Sequence, residues 1–309
     1  MDYLRVSYSS MNVFSSCNRK FELQKLYPQR DRGEDMFAAD VGTALHKGYQ
    51  NYLITQDENQ AIWAYLEAYP YELEQRESND YRSCEAGLST LIEMLESVQM
   101  ADYELAMIKN PEGLIVPAIE VPFEIRFKGI TLPDGRGIAF TGFMDAVMRN
   151  LITGSFRTTD IKTHRRSLND ATAKYKFDSQ QTPYGIAIEH IQGNPVDDFE
   201  VLYLDCYVDI LEPRVTLYPF SRTSEDVQEW LTNKVLEFQS IQRYMEMGFF
   251  PRTDGGCLFY NKPCRFLEPC TSRERETIEM WLLMGEEPKA PRLDQPWIVG
   301  EIDVFGGES

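Results

Sequence analysis

Residues 158–167 read TTDIKTHRRS. An acid and a lysine, Asp160 and Lys162, stand two positions apart with Ile161 between them, and a short basic run follows. The segment Phe156–Thr163 has the β-branched and aromatic content of a strand, so both charges project from one face of it. The triplet alone decides nothing. A second acid-x-Lys triplet, Glu287-Pro288-Lys289, lies in the proline-containing tail, and the abundance of acids makes two such triplets what composition would give.

The sequence upstream supplies the meaning. Ile138–Met148 reads as another strand, with Asn150–Ser155 and its Gly154 as the turn between the two. With the turn centred between Ile152 and Thr153, an antiparallel pairing sets Asp145 opposite Asp160. Cβ atoms opposed in this way lie about 4.5–5.5 Å apart, and like charges there are destabilising unless compensated. A hard divalent cation such as Mg²⁺ is the natural compensation, since it takes one or two carboxylates together with water and phosphate oxygens. A slip of one residue would send one carboxylate to the other face, so the argument depends on the register.

Periodicity places the remaining elements. Ser9-Ser10 starts a helix to about Leu26, with Val13, Phe14, Cys17 and Phe21 on one face. A second helix covers Phe37–Leu53 and carries Gly42 and His46. Further helices are expected at about 60–69 and 84–108. Leu114–Phe127 reads as extended, with Ile119, Val121, Phe123 and Ile125 alternating against Glu120 and Glu124. Ser179–Ile191 is helical, Phe199–Ile210 and Val215–Phe220 are strands, and Thr223 or Ser224 starts a helix to about Met247. The order is helices, then β-β-β-α-β, then a helix and a cysteine-bearing segment. Residues 271–309 read as a helix, Arg273–Met284, followed by an acidic tail containing Pro288, Pro291 and Pro296.

A chain of 309 residues with 43% hydrophobic content can bury one large core or two modest ones. No apolar run approaches the ~20 residues of a membrane helix. MDYLRVSYSS lacks the layout of a signal peptide, so a soluble, cytoplasmic protein is expected, with no membrane partner. The net charge of −18 argues against bulk nucleic-acid binding. The charge is uneven, however. From Arg157 to Lys176 the chain carries Arg157, Lys162, Arg165, Arg166, Lys174 and Lys176 against Asp160 and Asp170, and Arg19, Lys20, Lys25, Arg30 and Arg32 form a second basic cluster. Either cluster serves as a DNA contact or as a solvated face. No G-x-x-x-x-G-K-[ST] phosphate loop is present, so any unwinding of DNA requires a partner.

Of six cysteines, Cys257, Cys264 and Cys270 fall within the stretch CLFYNKPCRFLEPC. The spacing lacks paired C-x-x-C knuckles, so an ordinary zinc ribbon fits poorly. Three local thiolates need a fourth, and Cys17 is the candidate. Cys84 and Cys206 lie in apolar stretches and read as ordinary buried residues.

Gly142-Phe143-Met144-Asp145 followed by Asp160-Ile161-Lys162 resembles the core of the PD-(D/E)XK nucleases. Three further pieces resemble their RecB-like branch: Gly42-Thr43-Ala44-Leu45-His46, Gln180-Gln181-Thr182-Pro183-Tyr184, and the N-terminal segment with Cys17-Asn18-Arg19-Lys20-Phe21. The resemblance covers about residues 7–270, least constrained at 53–110. It implies an α/β fold of restriction-endonuclease type. That fold is a central mixed sheet flanked by helices, with an N-terminal helical region and a C-terminal cysteine-rich segment. The nuclease domain would be 1–270, with a helical insertion at about 53–110.

By matching position, the resemblance makes His46, Asp145 and Asp160 ligands of Mg²⁺ or Mn²⁺, joined by the Ile161 carbonyl. It makes Lys162 the charge-stabilising residue, with Gln180 and Tyr184 lining the strand path. Glu120 or Glu124 adds a ligand or a DNA contact. Asp160 stands where Glu is more usual. The branch with an iron–sulfur cluster, found in AddB-type and CRISPR-associated nucleases, places one cysteine before the core and three after it. The resemblance therefore implies a [4Fe–4S] cluster on Cys17, Cys257, Cys264 and Cys270, with Zn²⁺ in the same ligands as the alternative. Arg165, Arg166, Lys174, Lys176, Arg19 and Lys20 are the expected DNA contacts. The implied activity is a metal-dependent exonuclease on DNA ends or single strands, in recombination, end resection or DNA processing. A helicase, recombinase or other protein is the expected partner, and a phage or mobile element a fitting source. The alternatives are a catalytically silent DNA-end scaffold and an endonuclease.

Overall fold

The computed structural model describes residues 2–27, 37–71, 83–97, 102–164, 171–193, 198–253, 257–259, 262–272, 274–282 and 296–302. In chain order the elements begin with β1 (Tyr3–Val6), α1 (Tyr8–Ser16), α2 (Asn18–Lys25), α3 (Phe37–Thr55), α4 (Glu58–Ala68) and α5 (Cys84–Ser97). Strands β2 (Tyr103–Leu105), β3 (Met107–Lys109), β4 (Ile115–Pro117), β5 (Ile119–Thr131), β6 (Gly137–Asn150) and β7 (Phe156–His164) follow. After these come α6 (Ala171–Phe177), α7 (Thr182–Gln192), β8 (Phe199–Tyr207), β9 (Arg214–Arg222) and α8 (Ser224–Met247). The chain closes with β10 (Leu258–Phe259), β11 (Lys262–Pro263), α9 (Leu267–Thr271), α10 (Arg275–Leu282) and β12 (Trp297–Ile302).

The central sheet runs β12-β5-β6-β7-β8-β9, with β1 and β2 also paired to β6. It is mixed. Strands β5, β6 and β7 form an antiparallel meander, while β7–β8, β1–β6 and β12–β5 are parallel. A parallel β7–β8 pair needs a crossover, and α6 and α7 supply it. One apolar cluster joins Met11, Phe14, Ile186, Trp230 and Phe238 of α1, α7 and α8 to the sheet. A second joins Val41, Leu45, Tyr49, Tyr65 and Leu91 of α3–α5 to Ala146, Ile161 and Leu204. This is the α/β architecture expected, a mixed sheet with helices packed against it.

The expected register holds. Ala146 pairs with Thr159 and Val147 with Thr158, the alignment that sets Asp145 level with Asp160. The turn is fixed by the Asn150 side chain, whose Oδ1 accepts from the amides of Ile152 and Thr153. Gly154 takes φ +75, a left-handed conformation that costs glycine no Cβ clash.

Strand β6 forks. Its pairing to β1 ends at Phe140 and its pairing to β7 begins at Ala146. Asp145 therefore lies at the mouth of an opening in the sheet. Gly142 lies in that opening, where a Cβ would meet Phe123 at 2.8 Å and Tyr184 at 3.2 Å. This close approach explains the glycine of the Gly142–Asp145 segment.

Four local expectations change. The first helix breaks at Cys17, which is extended at φ −165 and ψ 110, and its cap is Ser7 in a capping box with Ser10. The helix expected over 84–108 stops at Ser97, and Tyr103–Lys109 enters strands β2 and β3. Glu104, Leu105, Ala106 and Met107 favour helix locally, but pairing with β6 and β4 overrides that preference. The extended segment from Leu114 is two strands, β4 and β5, separated at Ala118. The tail contributes β12, which pairs in parallel with β5 at the sheet edge. Among the described residues, no helix is long and apolar enough to cross a membrane.

Candidate active site

Three acids stand in one row across three neighbouring strands. Ile119 pairs with Ala146 and Val121 with Met144, so Glu120 on β5 is level with Asp145 on β6. Asp160 on β7 continues the row. Helix α3 closes the site from the other layer. Gly42 lets that helix approach β7, since a Cβ there would sit 3.2 Å from the Thr163 hydroxyl. His46, about one turn further, then meets the row. Its Nδ1 lies 3.7 Å from Asp145 Oδ2, and its Nε2 lies 3.1 Å from the Ile161 carbonyl.

His46, Glu120 and Asp145 bring one ligand atom each to within 4.8 Å of one another, the spacing of a metal site. Glu120 adopts φ +48, a strained conformation for a residue with a Cβ. Its Oε1 accepts from Gln50 Nε2 at 2.7 Å, and the same nitrogen lies 3.2 Å from the Asp145 carbonyl. Gln50 is four residues after His46 on α3, hence on the same helix face. That spacing was the available signal for a residue that pattern reading passed over. Glu124, the other candidate, is completely buried between Arg5 and Arg126. The geometry therefore selects Glu120.

Asp160 is also deeply buried. Its Oδ2 lies 2.8 Å from Lys162 Nζ, and its Oδ1 accepts from Gln180 Nε2 at 3.1 Å. Gln180 Oε1 accepts from Lys162 Nζ at 2.7 Å, which closes a three-membered polar ring. Gln180 also contacts the Tyr184 hydroxyl at 3.1 Å. The structure thus assembles His46, Asp145, Asp160, Ile161, Lys162, Gln180 and Tyr184 in one place.

The electrostatics follow from crowding and burial. Burial, partly opposed by Lys162 and reinforced by Asp145, pushes the Asp160 carboxyl up to about 7. Burial raises Asp145 as well, against the pull of His46 and the Ile161 amide, which donates to Asp145 Oδ2 at 2.9 Å. Burial works against the Lys162 ammonium, but Asp160, Asp145 and Asp178 outweigh it and hold the group above the ordinary lysine range. The site is a set of carboxylates with too little positive charge beside them.

The expected basic contacts divide. Lys174 and Lys176 are exposed on α6, their ammonium groups 5.1 Å and 5.9 Å from the rings of Tyr175 and Phe177. Arg165 and Arg166 lie outside the described residues. Arg19 is paired with Glu22 and its amide donates to the Pro251 carbonyl, which places it beside the cysteines. Lys20 is on the same helix, α2.

Cys17 sits at the break between α1 and α2. Burial raises the Cys270 thiol, Arg252 and Arg19 oppose this, and Cys17 and Cys257 are near enough to raise it further. The Cys264 amide donates to the Cys257 carbonyl at 2.8 Å. Cys264 and Cys270 pack against a small cluster of Leu23, Phe266 and Ile278. Cys206 is buried, as expected, whereas Cys84 is only half-buried.

A family model described as the PD-(D/E)XK nuclease superfamily matches residues 5–271. Among solved structures, a "Putative exonuclease" from Eubacterium rectale is 14% identical, with 87% of each chain covered and a TM-score of 0.46. The structure of SSO0001 is 13% identical, covering 69% of this chain and 84% of that one, with a TM-score of 0.26. No curated protein matches the chain.

Proposed function

The chain belongs to the PD-(D/E)XK nuclease superfamily, and on that premise we propose that it is a divalent-metal-dependent DNA exonuclease of the RecB-like kind. The observation that carries the reading is the carboxylate row beside His46, with Lys162 held two residues from Asp160. The donor set suits Mg²⁺ or Mn²⁺, because carboxylate oxygens and one imidazole are borderline-to-hard ligands and Lys162 alone does not balance three acids. His46, Glu120, Asp145 and Asp160 would hold the ion, with the Ile161 carbonyl at the same place. When bound, it would polarise the phosphodiester and lower the pKa of water.

The chain's own residues do the rest. Gln180 fixes Lys162 at the edge of the row, where its ammonium faces charge that develops on the phosphate in the transition state. The Gln50 amide holds Glu120 in its strained conformation. Lys174 and Lys176 extend positive charge away from the row for the phosphates of a bound strand.

Cys17, Cys257, Cys264 and Cys270 form the second part of the reading, a [4Fe–4S] site that ties α1 and α2 to the segment after α8. Support comes from the all-thiolate donor set and from the influence of Cys17 and Cys257 on the Cys270 thiol. Anaerobically purified protein should be brown and contain iron and sulfide. A colourless protein with one zinc would overturn this part.

The nuclease reading is tested by release of labelled nucleotides from linear single-stranded DNA with Mg²⁺ or Mn²⁺. Lys162→Ala should lower the rate by roughly 10²–10³-fold, the cost of removing one charge-stabilising donor. Circular single-stranded DNA should resist, and its cleavage would make the enzyme an endonuclease. A cluster-intact wild type inert on single- and double-stranded DNA would sink the enzyme reading in favour of a DNA-end scaffold.

A further inference from the structure

Gln180 binds both Lys162 and Asp160, yet it lies in the irregular segment between α6 and α7. Its backbone is held by one carboxylate. The Gln180 amide donates to Asp178 Oδ1 at 2.9 Å, and the Tyr8 hydroxyl donates to the same oxygen at 2.9 Å. The Asp178 carbonyl is held independently. It accepts from Arg222 Nη2 at 2.8 Å and from the Tyr203 hydroxyl at 3.4 Å. Arg222 is itself buried and also donates to the Tyr175 carbonyl at 3.1 Å. Tyr8 opens α1, whose position is fixed by the Ser7–Ser10 capping box and by Met11 and Phe14 in the core.

We propose that Tyr8 and Asp178 are positioning residues of the active site: the Tyr8 hydroxyl orients the Asp178 carboxylate, which sets the Gln180 turn and thereby the place of Lys162 and Asp160. The effect on rate rests on the nuclease reading; the effect on the Gln180 backbone does not.

Asp178 borders an open cleft whose walls include Lys176, Phe177, Trp230 and Lys234. Without the Tyr8 hydroxyl its carboxylate is free to turn toward water there. Gln180 must present its oxygen to a lysine and its nitrogen to a carboxylate, so the plane of its amide tolerates little rotation. A misplacement of about 1 Å at such a site costs on the order of 10²-fold in rate. Burial and the Asp178 carboxylate push the Tyr8 hydroxyl up to about 12, so it remains a donor throughout the neutral range.

The test uses the full chain and Tyr8→Phe, which keeps the ring and deletes only the hydroxyl. Three quantities are read: kcat and KM for nucleotide release from linear single-stranded DNA with Mn²⁺, and the rate of amide hydrogen exchange at Gln180. The expected result is a loss of about tenfold in kcat with KM within about twofold, and exchange at Gln180 several-fold faster. Asp178→Ala should lose about 10²-fold, and Asp178→Asn, which retains the acceptor oxygen, should recover part of that. A kcat for Tyr8→Phe within about twofold of wild type, or unchanged exchange at Gln180, overturns the proposal and leaves the nuclease reading standing. If wild type cleaves nothing, the nuclease reading fails, and exchange at Gln180 alone decides the proposal.

Discussion

On strand β5, Glu124 is enclosed by Arg5 and Arg126, each with a nitrogen 2.7 Å from its carboxylate. Glu120, four residues earlier on the same strand, turns instead toward His46 and Asp145. Burial alone would raise Glu124, but the two arginines together hold its carboxyl below the ordinary range. Beside Glu120 the balance reverses, and burial raises Asp145 on β6 and Asp160 on β7. A buried carboxylate needs a positive partner. Where the sequence supplies two guanidinium groups, the charge is part of the fold. Where three acids share one lysine and one histidine, the shortfall is what the proposed cation would make up.

Exchanging charge for neutrality at each glutamate should separate the two roles. Glu120→Gln should weaken Mn²⁺ binding by roughly 10–100-fold, the range seen when a residue that tunes a metal site is altered. The metal-free variant should be at least as stable as wild type, because one like charge has left the row. Calorimetric titration with Mn²⁺ and thermal melting without metal read the two effects. Unchanged affinity would remove Glu120 from the site. Glu124→Gln should do the reverse. It strips the anion from between two arginines and should lower stability by about 1–3 kcal/mol. The lower range applies because Arg5 and Arg126 are partly exposed and can return to water. Its Mn²⁺ affinity should match wild type, and a large loss would mean that the arginines shape the metal site.

The contrast also marks what pattern reading could reach. The Asp145–Asp160 alignment was legible because a hairpin's register follows from its turn, and Asn150 and Gly154 fix that turn locally. The succession from β5 to β9 was legible from alternation and apolar runs, whereas β1, β2, β3 and β12 were not. Glu120 and Glu124 were indistinguishable, since both fall on alternating positions of one strand. Besides Arg126, two residues from Glu124 on the same strand, what separates them is the left-handed turn of the backbone at Glu120 and the arrival of Arg5 from β1, and neither of these two is a local property. Strand β12 was hidden for a similar reason. Its partner β5 lies far away in sequence, and the prolines that precede it, Pro288, Pro291 and Pro296, mask a short edge strand. The contact of Tyr8 with Asp178 likewise joins segments remote in the chain.

The smallest expected effect bears on the charge shortfall itself. In the metal-free protein the Asp160 carboxyl titrates near 7, against an ordinary value of 3.8. Between those values the folded state binds more protons than the unfolded one. Stability from this group is therefore fully present below about pH 4 and is lost as pH rises through about 7. Asp160→Asn stays neutral throughout and should remove that slope. Its melting temperature without metal should fall less between pH 5.5 and pH 8 than that of wild type, and at pH 8 it should melt a few degrees higher. Lys162 would lose an anion, but it keeps the Gln180 oxygen at 2.7 Å and is exposed enough to be hydrated. Asp145, also raised by burial, should retain part of the pH dependence. Parallel melting curves for the two proteins would mean that Asp160 is already compensated within the chain, as Glu124 is, and that the row has no need of a cation to be stable.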